Sequence, residues 1–572
     1  MVSLLTKKWF PVSLALWTSV TAQITLNYCP LLGPIYPPPT TLANDAAFSA
    51  ALQNITSTLN EVMTSGNLST NSISLQIFDA TNPSPLLSFS YTGSDIDTTL
   101  GVSTVDENTV FRVGSVSKLW TILMFIAEEG LWTFQQPIAR FVPELRRAAV
   151  ELRHNRTRRE DKVDYVQWDE ITIGDLASHL AGIGRDYGIL DFSEMESRMI
   201  DLGFPALPRS QIPPCGVPEP CNRKQFFNGL LRRHPIVPTS RTPIYSNAAF
   251  QILAYALETI TGHSYPDLLQ RDIIRPLGLT GTYYDRPNST IGVIPSEQGE
   301  YFWNMDLGDE NPAGGIYSST RDMTALGQAI LNNTLVAPSI TRKWMKPVTH
   351  TSSLDFAVGA PWEIISFGDN RPIDLYTKSG DIGVYSSTIV LSSDHAVGFT
   401  IQHAGKDGHA NIALLSDLVS ATLLPALDQS AKDQAEQQFT GYFAASAGTN
   451  SSINITTDAG PGLLVTSWIS NGTDMFQSIM SLQGIPDPSL LSIRLYPTGL
   501  VAPDMVSFRA LIPPTLPTAG HGPFTSSCIT WVTVDSAMYG SVALDEFVFN
   551  LDDQGDVVSV SPRILRITLP KT

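Results

Sequence analysis

The chain has 572 residues, 43% of them hydrophobic and 16% charged, a composition that suits two or more folded units with sizeable cores and excludes a fibre or a disordered tail. Its formal charge of −18 argues against nucleic acid and anionic membranes as general partners.

Residues 1–22 read as a secretory signal peptide. Lys7 and Lys8 supply the basic start, Phe10 to Trp17 the short apolar run, and Val20-Thr21-Ala22 a small-residue cleavage site. The run is too short to cross a bilayer, and no later stretch has the length or purity of a transmembrane helix, so no membrane span is expected once the leader is removed. Secretion is also the reading of the N-x-Ser/Thr sequons at Asn54, Asn67, Asn155, Asn288, Asn332, Asn450, Asn454 and Asn471. The four cysteines, Cys29, Cys215, Cys221 and Cys528, are even in number and suit an oxidising compartment. Three pairings are open; Cys215 with Cys221, clipping a proline-rich loop, and Cys29 with Cys528 are favoured. The absence of C-x-x-C, H-x-H and H-E-x-x-H spacings gives no reason to expect a metal.

Tyr36-Pro37-Pro38-Pro39 predicts an extended arm, and Phe48, Leu52, Ile55, Leu59 and Met63 predict a helix over 45–63. Residues 73–78 and 86–91 alternate like two strands of a hairpin. Next comes Phe111-Arg112-Val113-Gly114-Ser115-Val116-Ser117-Lys118, followed by Leu119, Ile122, Leu123 and Ile126 at the spacing of a buried helix stripe. This places Ser115 in the first turn of a core helix, where unpaired N–H groups and the dipole favour a developing oxyanion, with Lys118 on the same face. A serine hydroxyl needs a neighbouring base to become a nucleophile, and a buried lysine can have its pKa lowered enough to serve.

Residues 146–162 are densely charged with mixed sign and read as a solvated surface insertion. Thr172 and Asp175 fit a capping box leading to His179, which reads as a structural residue closing a helix before Ala181-Gly182. The proline-rich stretch 205–221 is expected to be an irregular rim or lid. Tyr245-Ser246-Asn247 sits in a loop entering a helix, where a phenol can shuttle a proton and an amide can orient Lys118 or bind a substrate carbonyl. Lys378-Ser379-Gly380 follows an expected strand over 373–377 and precedes strands over 384–391 and 396–402. A strand edge there offers backbone N–H groups, Gly380 allows close approach and Lys378 adds positive charge. His403-Ala404-Gly405 has a related form and ranks second. Residues 428–438 read as a polar connector, and the short alternating segments beyond it, such as 463–469 and 529–534, as a separate β-rich domain.

Ser115-x-x-Lys118, Tyr245-x-Asn247 and Lys378-Ser379-Gly380, in that order, resemble the three motifs of the serine beta-lactamase and penicillin-binding-protein superfamily, especially its class C-like branch of secreted fungal relatives. Further matches are Phe111-Arg112-Val113-Gly114, Pro276-Leu277-Gly278-Leu279, Pro312-Ala313-Gly314-Gly315 and Gly383-Val384-Tyr385-Ser386. The resemblance covers about residues 45–424. It implies an α+β fold, an antiparallel sheet flanked by helices with a helical subdomain, over 23–430, followed by an all-β accessory domain over 431–572. It also implies roles. Ser115 would attack a carbonyl to give an acyl-enzyme, Lys118 and Tyr245 would share the proton transfers, and which of them is the acylation base stays open. Asn247 and Lys378 would orient the substrate, Ser379 would support its anionic or polar end, and the N–H groups of Ser115 and Asp381 would form the oxyanion hole. An acidic residue after Gly380 is unusual. No metal or organic cofactor is implied.

The function expected from these residues is a secreted serine hydrolase cleaving a small-molecule ester or amide. An acyltransferase moving the acyl group onto a small metabolite would use the same residues, and an inactive binding glycoprotein is the reading from another class.

Overall fold

The structure is a computed structural model that describes residues 29–64, 66–189, 191–368, 371–446, 448–488, 491–512 and 528–572. The expected signal peptide, residues 1–22, lies outside them. The chain divides into two compact units, one of Leu32–Gln438 and one of Phe439–Thr572 with the N-terminal residues up to Leu31.

Among the described residues the larger unit is organised on an antiparallel sheet of eight strands, along each of which successive side chains point to opposite faces. In chain order these are β1 (Ser72–Asp79), β2 (Leu87–Tyr91), β5 (Thr349–His350), β6 (Phe356–Val358), β7 (Glu363–Phe367), β8 (Ile373–Ile382), β9 (Tyr385–Ser392) and β10 (Val397–Ala404). β3 (Val110–Arg112) and β4 (Tyr317–Ser319) form a separate pair. The order across the large sheet is β2-β1-β10-β9-β8-β7-β6-β5. On β1, Ile73, Leu75 and Ile77 pack against Phe48, Ile55, Leu59 and Met63 of the helix Ala46–Thr64 and against Leu415, Val419 and Leu423 of the helix Gly408–Phe439. The alternate positions face the other way: Phe78, Ile389 and Leu391 join a second core with the helices Ser117–Glu129, Ala248–Thr261 and Thr320–Leu331. With helices on both faces, β1, β9 and β10 are buried along nearly their whole length. Polar side chains that point into this second layer are paired, Thr324 donating to Gln76 Oε1 at 2.7 Å and Thr320 to Gln402 Oε1 at 3.0 Å.

The structure departs from the sequence expectations at several points. The strand expected to stop at Thr377 continues to Ile382, because positions 378–382 keep their partners on β9, from Lys378 opposite Ile389 to Ile382 opposite Tyr385. Residues 428–438 are not a connector but the last turns of the helix Gly408–Phe439. That helix is also long and apolar enough to cross a membrane by length and composition, with a mean hydropathy of 1.5. The sequence reading missed it because Asp417, Pro425 and Asp428 interrupt its apolar run. Its buried positions, including Ile412, Leu415, Val419, Leu423 and Leu427, lie against the sheet.

The capping box forms as expected, Thr172 and Asp175 each bonding the other's backbone N–H at the start of the helix Ile173–Ala177. The charged insertion carries the helices Pro143–His154 and Arg156–Glu160, with residues from 153 to 160 exposed. Cys215 is bonded to Cys221.

The second unit is sheet-rich. Among the described residues its main sheet runs, in spatial order, through β11 (Gly441–Ala444), β12 (Ser452–Thr456), β13 (Leu463–Ser470), β14 (Arg494–Ala502), β15 (Met505–Leu511), β16 (Glu546–Leu551), β17 (Val557–Pro562) and β18 (Leu569–Pro570), and a bridge from Phe443 to Lys571 brings its first and last strands together. Phe439, Phe443, Phe508, Phe547, Phe549 and Trp468 fill its centre through edge-on and tilted ring contacts. It also holds the helix Met475–Gln483 and the Cys29–Cys528 disulfide. Residues 529–534, expected as a strand, contain the 3-10 turn Thr530–Val532 instead.

Candidate active site

Ser115 lies in a 3-10 turn, Gly114–Val116, that runs into the helix Ser117–Glu129, one step ahead of the α-helical first turn expected for it. Gly114 makes the turn, with φ of 51°. Ser117 fastens it: its hydroxyl donates to Gly114 O at 2.7 Å and accepts from Ile316 N at 3.1 Å. The helix behind is buried from Ser117 to Ile126, so the turn is presented from a fixed core element.

One turn along, Lys118 is fully buried. Its Nζ donates to Ser115 Oγ at 3.0 Å, Asn247 Oδ1 at 2.7 Å and the carbonyl of Ala313 at 2.7 Å. An ammonium has three protons, and all three are placed. Burial still pushes the Lys118 pKa down, and the nearby Lys378 charge adds to the effect. Asn247 is held in turn, its Nδ2 donating to Asp186 Oδ1 at 2.7 Å. Glu310, beside Asp186, is held well above the usual carboxylate range by burial and then by the Asp186 charge.

The Tyr245 ring stands between the two lysines, its centroid 4.9 Å from Lys118 Nζ and 5.6 Å from Lys378 Nζ. Burial alone would raise the phenol, but the two ammonium groups bring it below its ordinary value. Its other ring neighbour is His179, stacked at 4.4 Å. His179 adopts φ of 61°, and its Nδ1 accepts from Ser246 N at 3.1 Å. The histidine read as a helix terminator therefore also fixes the loop that carries Tyr245.

Lys378, Ser379, Gly380 and Asp381 lie within β8 and pass close against the Ser115 turn. A Cβ built on Gly114 would sit 2.5 Å from Asp381 N, and one built on Gly380 would sit 2.5 Å from Ser115 N and overlap the Val113 carbonyl. Two backbone segments that close can aim both N–H groups at one oxyanion. We expect Gly380→Ala to lower kcat by about 100-fold or more while the chain still folds, as read by steady-state kinetics beside circular dichroism.

Lys378 is also buried, yet its charge is met. Its Nζ is paired with the carboxylate of Glu363 on β7, and the other carboxylate oxygen, Oε2, accepts from Ser379 Oγ at 2.7 Å and Ser379 N at 2.9 Å. Burial would lower Lys378 and raise Glu363; the pair reverses both, holding the lysine above and the glutamate below their ordinary values. Asp381 turns to Ser386 Oγ at 2.7 Å and His409 Nδ1 at 3.1 Å. His403 lies inside β10, opposite Ser386, with its Nε2 3.1 Å from Asn411 Nδ2 and its pKa pushed down to about 4 by burial.

All the residues of the three sequence motifs thus converge. Glu363, Asp186, Glu310 and the Ala313 carbonyl were not foreseen; they carry no local spacing, and only the folded chain brings them to the site. Among the described residues no group of histidine, cysteine, aspartate and glutamate could hold a metal ion.

The family model described as beta-lactamase matches residues 85–421, and the chain belongs to the serine beta-lactamase and penicillin-binding-protein superfamily. Residues 431–572 match a second model, described as a beta-lactamase-like-like C-terminal domain. A protein named beta-lactamase-like protein from Arthroderma benhamiae is 29% identical over 504 residues, 82% of either chain. A probable hydrolase M10 from a Phoma species is 28% identical over 426 residues, 72% of this chain and 68% of that one. A solved beta-lactamase/D-alanine carboxypeptidase from Pseudomonas syringae aligns with a TM-score of 0.48 at 16% identity, covering 65% of this chain and 99% of that one.

Proposed function

We propose that the chain is a secreted serine hydrolase that cleaves an ester or amide through an acyl-enzyme on Ser115. The observation that carries this reading is the contrast between the two buried lysines. Lys118, whose Nζ is 3.0 Å from Ser115 Oγ, has its pKa lowered, while Lys378 is held as an ammonium by Glu363. Groups whose environments push their pKa values apart divide acid and base work between them.

In the first step Ser115 Oγ bonds to the substrate carbonyl carbon, and its proton passes to Lys118 Nζ or, through it, to the Tyr245 phenolate. The carbonyl electron pair moves to oxygen, facing the N–H groups of Ser115 and Asp381. The tetrahedral intermediate then expels the alcohol or amine, which takes the proton back, and water repeats the sequence to release the acid. A lowered base pKa places the rising limb of kcat/KM below the ordinary lysine and tyrosine values, because only the unprotonated form accepts the serine proton. A pH profile with a neutral aryl ester should show that limb; a rate still climbing through the ordinary lysine range would contradict it.

Secretion is supported by the two disulfides and by sequons on exposed residues, Asn54, Asn155, Asn288, Asn450 and Asn471 among them. Asn332 is exposed as well, with its Nδ2 donating to the carbonyl of Ala80. The experiment that tests the activity incubates the protein with a panel of neutral esters and amides, with and without a small alcohol. Free acid alone supports hydrolysis, acyl-alcohol would turn the reading to acyl transfer, and an untouched panel would leave only a binding role.

A further inference from the structure

A protein receives a carboxylate by aiming a cation, a hydroxyl and a backbone N–H at one place. Lys378 Nζ, Ser379 Oγ and Ser379 N make such a receptor, next to the Ser115 turn, and all three are already spent on the carboxylate of Glu363. Glu363 is not a mobile surface group that happens to fold over. It is set on β7 opposite Thr377, whose hydroxyl donates to the Glu363 carbonyl at 2.6 Å, and its side chain is 23% exposed. Around it, the Arg185 guanidinium stands over the Tyr245 ring at 5.0 Å with its Nε 3.4 Å from Asp186 Oδ2, and the His409 ring is bonded to Asp381.

We propose that Glu363 is a built-in occupant of the anion-receiving part of this cleft, so that the enzyme selects acyl donors uncharged beside the scissile bond and turns away those carrying a carboxylate there. The proposal rests on the hydrolase reading above and narrows its substrate class to neutral esters and amides. A substrate carboxylate entering this place would meet the Glu363 charge at close range, with Lys378 Nζ, Ser379 Oγ and Ser379 N already bonded to that charge. A neutral group meets no such repulsion. Glu363 also makes the buried Lys378 tolerable, since a lone ammonium there would be uncompensated. Glu363 is a positioning and specificity residue; it does not touch the reacting atoms.

The test uses a matched pair, the phenylacetylglycyl ester of 3-hydroxybenzoate and that of methyl 3-hydroxybenzoate, which differ only in the carboxylate. Binding is measured by calorimetry in the Ser115→Ala chain, where neither is consumed, and turnover in the native chain. The neutral ester should bind at least tenfold more tightly in Ser115→Ala. Adding Glu363→Gln, nearly the same shape without the charge, should move the preference at least tenfold toward the carboxylate form, an effect that weakens with added salt. Glu363→Ala should move it the same way, and circular dichroism checks that each variant folds. Equal binding of the two esters, no binding of either, or an unchanged preference in both Glu363 variants would overturn the proposal. A preference that shifts while the native chain cleaves neither ester would sink the hydrolase reading and leave the assignment of Glu363 standing. Cleavage with no shift would do the reverse.

Discussion

Replacing Ser115 by alanine should lower kcat/KM on a neutral aryl ester by about 10,000-fold or more and abolish any covalent adduct. Loss of a nucleophile removes the covalent route altogether, and the oxyanion donors and binding contacts that remain supply only the residue of the rate. The substitution removes one oxygen from a half-buried side chain, so the fold should survive. Steady-state kinetics with a thermal unfolding midpoint measured on the same sample checks both halves. A variant within tenfold of the native rate would mean that the hydroxyl is not the attacking group.

Lys118→Met should slow acylation by about 100- to 10,000-fold, the range that a positioned proton acceptor contributes. Methionine is chosen because it fills most of the buried volume, whereas alanine would add a cavity to the loss of chemistry. Three acceptors lose their donor at once: Ser115 Oγ, Asn247 Oδ1 and the Ala313 carbonyl. The Tyr245 phenol loses one of the two charges that hold it down, so whatever activity remains should have its rising limb moved to higher pH. Stopped-flow acylation across pH reads the rate and the limb together. A loss of less than tenfold with an unmoved limb would remove Lys118 from the proton path.

What could be read in the sequence was what is local. Ser115 and Lys118 are three residues apart, Tyr245 and Asn247 two, and Lys378 to Asp381 contiguous, so a short pattern carries each group. The hairpin of β1 and β2 and the helix Ala46–Thr64 were legible for the same reason, since period-2 and period-3.6 spacing needs no knowledge of the partner. What was hidden depends on register between distant segments. Glu363 precedes Lys378 by fifteen positions, and only the pairing of β7 with β8 sets its carboxylate on Lys378 and Ser379. Asp186 reaches the site through Asn247, and Ala313 through a backbone carbonyl that no side-chain pattern can announce. The end of β8 was cut short because Lys378-Ser379-Gly380-Asp381 looks like a turn by composition; pairing with β9 overrides that preference. The helix Gly408–Phe439 was lost for the opposite reason, a buried stripe diluted by Pro425 and by exposed polar positions.

The most direct test labels the native chain with a fluorophosphonate, measures the intact mass, and maps the modified peptide. A single added phosphonyl group on the peptide containing Ser115, absent from Ser115→Ala and formed far more slowly in Lys118→Met, is the predicted result. An unlabelled chain, or a label carried by any other residue, would contradict the claim that an activated alcohol sits at the end of the helix Ser117–Glu129.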